Sequence, residues 1–412
     1  MFDKLRDNSR IIVYIVVAAF VISGGFMGYG AYMSGGNNSA QQGTNPNEAI
    51  AEVNGEEISY QEYLNVMRNN AQRASQLSST QLLNFRLNVL NSIIERKIIL
   101  AQADEMGISA QVTKEDIDNS IQDILKNNNM TEEELRKNLE EQDYSMSDLR
   151  NDLRLNLQTQ KTIQKTVEKS YEDVKVSEEE LKEEYDKQAK NNEDIASFKN
   201  KKDEIKQSLL EKKQNNEFKN WMEDLKESAD IKIYDNSLKG VKALNNENFE
   251  VAINSFNKAL DNSDTPTNYI YLAQAYEKDQ KSDKSIETYE TAIEKYPENW
   301  EIRYNYGQLM INLKNNEKAK KQLEKASEFA TDSDFMAHYQ IYQSFNNIGA
   351  EDKAQEEMDK IIEIQQNMNQ NSQNPNTETE QENETRENFG EENNTEKSLD
   401  EEDLEVDTVP SD

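Results

Sequence analysis

The sequence predicts a mainly α-helical chain: one membrane-spanning helix, a helical domain with a small β-hairpin and strand, a solenoid of helical pairs, and a disordered acidic tail. Three observations predict it. Of 412 residues, 35% are hydrophobic and 31% charged, with only five prolines and thirteen glycines, a balance suited to helical bundles rather than a large sheet core. Apolar residues recur at three- and four-residue steps along most of the chain. A similar frame also returns every 33 to 35 residues in the C-terminal half.

Lys4, Arg6 and Arg10 precede Ile11 to Met33, a run of 23 residues without charge, and no Lys or Arg occurs again until Arg68. At 1.5 Å per residue the run is long enough to span a hydrocarbon core of about 30 Å. The positive-inside rule then places residues 1–10 in the cytoplasm and the bulk of the chain outside, as a single-pass cell-membrane protein. Residues 34–47, rich in Gly, Asn, Gln and Ser, read as a flexible linker.

The domain expected over 48–235 opens on Val53-Asn54-Gly55-Glu56, whose Asn-Gly pair tolerates positive φ at both centres of a two-residue hairpin turn. Ser59 and Glu62 form a capping box, so a helix should begin at Tyr60. From Thr80 to Met106, Leu82, Leu83, Leu87, Leu90, Ile94, Ile98 and Ala101 mark one long helix, which Gly107 ends. Thr113 with Asp116 starts the next, with Ile117, Ile121, Ile124 and Leu125 on its inner face, and the run Asn127 to Asn129 breaks it. Thr131 with Glu134 caps a helix carrying Leu135 and Leu139. After Ser147, the residues Leu149, Leu153, Leu157 and Ile163 describe another helix, and Ser177 with Glu180 caps one more. Ile205, Leu209, Phe218, Trp221 and Leu225 line a last long helix from Phe198. Ile231 to Tyr234 alternates like a strand able to pair with the opening hairpin.

Residues 236–366 contain about four repeats. Ala252, Ser285, Ala319 and Ala354 are spaced by 33, 34 and 35 residues, with Phe256, Tyr289, Leu323 and Met358 four residues on and Ala259, Ala292, Ala326 and Ile361 seven on. Twelve before them lie Gly240, Ala273, Gly307 and Tyr342. Small residues there let two antiparallel helices approach, and the bulky residue fills the gap between repeats. The pattern resembles the tetratricopeptide repeat, best in the second unit through Tyr269, Leu272, Ala273, Tyr276, Ala292 and Pro297. Residues 367–412 form the tail: from Gln365 onward fifteen acidic residues face only Arg386 and Lys397, a net of about −13 with almost nothing apolar.

In their order, VNGEEISYQEYLNVM, LNSIIERKIILAQADEMGI, VTKEDIDNSI, MSDLRNDLRLNL and KVSEEELKEEYDKQ resemble the N-terminal domain of SurA-type chaperones and membrane-anchored parvulin-type foldases, over about 130 residues. FKNKKDEIKQSLLEKKQNNEFKNWMEDLKESADIKIY resembles the distal helix that completes that core. In this family a parvulin prolyl-isomerase domain commonly separates the two parts. Here only about ten residues lie near 188–198, too few for a catalytic domain, and no histidine precedes His338. The resemblance therefore implies a chaperone core without isomerase activity, around an apolar cleft for unfolded or secreted polypeptides.

Other functions are narrowed by composition. A formal charge of −33 argues against nucleic-acid binding. With no cysteine and His338 the single histidine, thiolate zinc sites, cysteine nucleophiles, histidine triads and multi-histidine metal sites are excluded. No enzyme activity, cofactor or catalytic residue is expected, and His338 reads as a packing residue. In the repeats, Gln274, Gln308 and Gln343 are equivalent, one per first helix, at a position that in this repeat family faces the concave groove. A ladder of amides can donate to and accept from an extended peptide backbone, and Tyr304 and Tyr339, one turn away, add apolar contact. Met67, Met106, Met130 and Met146 suit adaptable packing surfaces, although each taken singly reads as ordinary core. The expected function is that of a membrane-anchored extracytoplasmic holdase whose repeats bind protein. The alternative is a scaffold organising an envelope or translocation complex.

Overall fold

The computed structural model describes residues 48–373 apart from 69, 76, 192–196, 332 and 333. The expected membrane segment 11–33, the linker 34–47 and the tail beyond 373 lie outside the described residues. Among the described residues no helix is long and apolar enough to cross a membrane. The fold is mainly helical with one small sheet, and the chain forms two units, divided between Tyr296 and Pro297.

The first unit begins with β1 (Ala49–Val53) and β2 (Glu56–Ser59), antiparallel with Val53 opposite Glu56. The connecting residues, Asn54 at φ 52° and Gly55 at φ 84°, both take the left-handed backbone that the Asn-Gly pair was expected to supply. β3 (Ile231–Ile233) pairs antiparallel with the other edge of β1, Val53 opposite Ile231, in the order β2-β1-β3. Thus the end of the domain returns to its beginning.

Helices α1 (Tyr60–Arg68), α2 (Ala71–Ala74) and α3 (Ser79–Glu105) follow. α1 starts where Ser59 Oγ accepts from Glu62 N–H at 3.0 Å, but the Glu62 carboxylate is drawn to Arg96 Nη2 on α3, 2.6 Å away. α3 buries Leu83, Leu87, Leu90, Ile93, Ile94 and Ile98 and stops before Gly107, at φ 67°. α4 (Lys114–Asn127), α5 (Glu132–Glu140) and the first turns of α6 (Met146–Ser170) share a satellite core of Ile121, Leu135, Leu139, Met146 and Leu149. α6 begins two residues ahead of the expected point, because Ser145 and Asp148, rather than Ser147, make the cap. α7 (Glu178–Asn191) and α8 (Phe198–Ser228) are joined by 192–197 alone, with Tyr185 and Phe198 edge to face at 5.3 Å. The far end of α8 packs Met222 with Ile99, Ile163 and Val167 of α3 and α6.

Two helical pairs complete the first unit: α9 (Asn236–Asn245) with α10 (Phe249–Asn262), and α11 (Pro266–Lys278) with α12 (Ser282–Lys295). A Cβ on Gly240 would lie 2.7 Å from the Phe256 ring, so the small residue is what brings α9 onto α10. Phe256 also stacks on Tyr271 of the next pair, centroids 5.5 Å apart, filling the gap between repeats. The second unit holds α13 (Trp300–Asn312) with α14 (Asn316–Phe329), and α15 (Phe335–Asn347) with α16 (Glu351–Gln373). Its core gathers Leu323, Ala326, Ala337, Ile341, Phe345 and Ala354. α16 runs past 366, where the tail was expected to begin, because Ile361 and Ile364 are buried and hold its middle turns.

Candidate functional site

On α13 the residues Trp300, Tyr304 and Gln308 are four apart and share one face, opposite the buried Ile302, Tyr306, Leu309 and Met310. Asn299 fixes the start of this helix by accepting from Ile302 N–H at 2.9 Å. α15 repeats the arrangement with Phe335, Tyr339 and Gln343, opposite Ala337, His338, Ile341 and Phe345. The aromatic members touch: Trp300 and Tyr304 centroids lie 6.2 Å apart, Phe335 and Tyr339 stack at 6.1 Å, and Tyr339 meets Tyr342 at 6.3 Å. Tyr339 is 39% exposed and Met336 beside it 50%, so this face offers aromatic and thioether surface to solvent. Burial pushes the Tyr304 phenol above the usual tyrosine range, and its contact with Ser344 opposes that shift.

The structure brings four of the five expected residues onto these two helices. Gln308 Nε2 donates to Ser344 Oγ at 2.5 Å, and Ser344 Oγ donates to Gln340 O at 2.8 Å, so the Gln308 amide bridges α13 and α15. Gln343 is exposed and Tyr304 half-buried. Gln274 is half-buried on α11 in the first unit, on a helix that also docks against the N-terminal domain: Tyr271 OH donates to Thr80 O of α3 at 2.8 Å. Trp300, Phe335 and Met336 were missed in the sequence, although the four-residue spacing of Trp300 from Tyr304 and of Phe335 from Tyr339, and the three-residue spacing of Met336 from Tyr339, were there to be read.

The first unit has a cleft of about 580 Å³ lined in part by Ile50, Tyr60, Leu82, Arg86, Tyr234 and Asp235. Arg86 Nη2 meets Asp235 Oδ2 at 3.3 Å across it and Arg86 Nε faces Tyr63 OH at 3.3 Å, while burial pushes the Tyr63 phenol up to about 12. Met106 and Leu155, 42% and 48% exposed, add apolar surface on α3's terminus and α6. Met67, Met130 and Met146 are packed into cores, as each taken singly was expected to be. Among the described residues no group of His, Asp and Glu side chains is placed to hold a metal ion.

Residues 1–163 match the SurA-like N-terminal domain, and 278–339 match the tetratricopeptide repeat. The chain joins a SurA-like N-terminal domain to tetratricopeptide repeats. No curated protein matches it. The SurA-like match begins at residue 1 and so includes the apolar stretch 11–33; it ends within α6, yet α8 packs on α3 and α6, and β3 completes the SurA-like sheet. The tetratricopeptide match contains Tyr304, Gln308 and Tyr339, with Gln343 four residues beyond it. Both matched modules are of protein-interaction type, and the face on α13 and α15 belongs to the repeats.

Proposed function

We propose that the chain is a membrane-anchored, extracytoplasmic, chaperone-like protein that holds unfolded or extended polypeptides and uses its repeats for protein–protein interaction. The observation that carries this reading is the SurA-like match over residues 1–163, which takes in the uncharged run 11–33. Lys4, Arg6 and Arg10 ahead of that run support a cytoplasmic N-terminus. A holding protein needs apolar surface that tolerates many sequences. Met106 and Leu155 on the SurA-like domain and Met336 and Tyr339 on the repeats supply it.

The test is aggregation of a reduced, unfolded client followed by light scattering with the purified chain. Suppression at near-stoichiometric ratios supports the holdase reading. No suppression, together with recovery of a fixed-stoichiometry partner by crosslinking in intact cells, replaces it with the scaffold reading. Tyr339→Ala combined with Gln343→Ala is expected to weaken client retention while changing stability by no more than about 1 kcal/mol, since both side chains lie at the solvent edge.

A further inference from the structure

The cleft in the first unit is walled by two parts of the chain that share one core. Tyr60, Leu82, Leu83 and Arg86 come from the SurA-like side, and Ser237, Ala259, Asn262, Thr267 and Asn268 from α9, the end of α10 and the start of α11. It exists because the first helical pairs are built onto that domain, so neither part forms it alone. Its charges nearly cancel. Arg86 Nη2 meets Asp235 Oδ2 at 3.3 Å, and Glu48, exposed at the rim, is the remaining charged residue of the lining, in a chain of formal charge −33. Arg86 is held in place: Tyr63 OH donates to its main-chain oxygen at 3.4 Å and accepts from its Nε at 3.3 Å. Its Nη1 has no partner among the described residues, so two N–H groups of a fixed fork are left over. The opposite wall is set in the same way. Ser237 Oγ donates to Asn268 Oδ1 at 2.9 Å, and Asn268 Nδ2 to the main-chain oxygen of Ser263 at 3.2 Å, with Asn268 itself 3% exposed. Asn236, Asn262 and Thr267 add amides and a hydroxyl, while Leu82, Leu83 and Ala259 add apolar surface.

We propose that this cleft is a second client site, separate from the repeat face, which takes a short extended stretch of polypeptide carrying no charge; the proposal rests on the client-binding reading above and gives it a place and a chemistry. Unfolded chain offers a carbonyl oxygen and, except at proline, an N–H at every residue, and needs partners of both kinds once it leaves water. Arg86 Nη1 supplies donors, and the amides of Asn236 and Asn262 with the Thr267 hydroxyl supply donors and acceptors. An apolar client side chain rests on Leu82, Leu83 and Ala259. The volume of about 580 Å³ is that of a ligand-sized site and holds a few residues, not a folded partner. A client carboxylate would enter beside Asp235 and against the net charge of the chain. A client cation would meet the Arg86 guanidinium, and Asp235 is already engaged by Arg86 and by Leu238 N–H, which reaches Oδ1 at 2.9 Å. Either charge would be stripped of water with no free partner inside, so the cleft selects against both signs.

The test uses the full chain and the fluorescence anisotropy of three short labelled peptides with blocked ends: one of Ser, Asn, Gly and Leu, one in which two Ser are replaced by Asp, and one in which the same two are replaced by Lys. The uncharged peptide should bind, and each charged one about tenfold more weakly. Asn262→Trp, at the exposed rim, should fill the mouth of the cleft and weaken the uncharged peptide about tenfold while melting as the wild type does. Arg86→Lys keeps a cation beside Asp235 but removes the fork, and should weaken the same peptide several-fold; it decides the matter if Asn262→Trp does not fold. Affinity equal to that of the wild type in whichever of these variants folds, or charged peptides that bind as well as the uncharged one, overturns the cleft as a site for neutral chain. The aggregation assay separates this result from the wider reading. A chain that suppresses aggregation but binds no uncharged peptide overturns the cleft and leaves the holdase reading standing, and a chain that does neither overturns both.

Discussion

Gly240 and Gly307 occupy the same place in two repeats, yet they bear different loads. A methyl group on Gly240 would sit 2.7 to 2.9 Å from three atoms of the Phe256 ring, which is fully buried and stacked on Tyr271 and so has nowhere to turn. On Gly307 the nearest atoms, 3.1 Å away, belong to the branched end of Leu323, which can yield by a few tenths of an ångström. Alanine gains about 1 kcal/mol over glycine inside a helix, and overpacking a core costs about 1–3 kcal/mol. Gly240→Ala is therefore expected to destabilise the first unit by about 1–2 kcal/mol, and Gly307→Ala to leave the second within about 1 kcal/mol of wild type. Urea-induced unfolding followed at Trp221 for the first and Trp300 for the second checks both. Equal losses would mean that Leu323 is as confined as Phe256.

Among the helices, several capping residues do more than cap. Asp116 accepts from Thr113 N–H at 2.8 Å and also meets Lys161 of α6 at 2.6 Å; Glu180 accepts from Ser177 N–H at 2.8 Å and meets Lys213 of α8 at 2.7 Å. Lys161 foremost, then the Thr113 amide and hydroxyl, lower the Asp116 carboxyl to about 2, and Lys213 with Ser177 does the same for Glu180. Because both values are depressed, their contribution is complete above the ordinary carboxylate range and is lost as pH falls towards 2. The wild-type melting midpoint should therefore drop more between about pH 5 and about pH 2 than that of Asp116→Asn with Glu180→Gln; parallel curves would show the pairs to be idle. The caps at Thr113, Thr131 and Ser177 were readable because donor and acceptor stand three residues apart. Lys161 and Lys213 were not, being 45 and 33 residues away from their acids. The same holds at the candidate site. Repeat register places Tyr304, Gln308, Tyr339 and Gln343 on first helices, but Ser344, which takes the Gln308 amide, and Glu357, which takes His338, are contributed by neighbouring helices that no local pattern reveals. Hence His338, read from the sequence as a packing residue, is buried as expected and also shares a hydrogen bond with Glu357 of α16.

At the scale of the molecule, sequence composition divides the chain near 235, whereas one continuous core crosses that point. Ile50 and Val53 of β1, Leu87, Leu90 and Ile94 of α3, Leu238 and Val241 of α9, Phe256 of α10 and Leu272 of α11 belong to a single buried cluster. Polar contacts reinforce it: Arg86 of α3 meets Asp235 at 3.3 Å, and Tyr271 OH bonds Thr80 O at 2.8 Å. The first two repeats are thereby part of the scaffold that shapes the SurA-like domain. A fragment of residues 48–235 would uncover the partners of Leu238, Val241, Phe256 and Leu272, each worth about 1.5–3 kcal/mol when fully buried, and the sum is comparable to the whole stability of about 5–15 kcal/mol of a typical domain. That fragment is expected to lose cooperative melting by circular dichroism and to self-associate on gel filtration, whereas residues 48–296 should melt in one sharp transition as a discrete species. If 48–235 melts as sharply as 48–296, the contacts from α3 to α9 and α11 add little, and the repeats are an appended module after all.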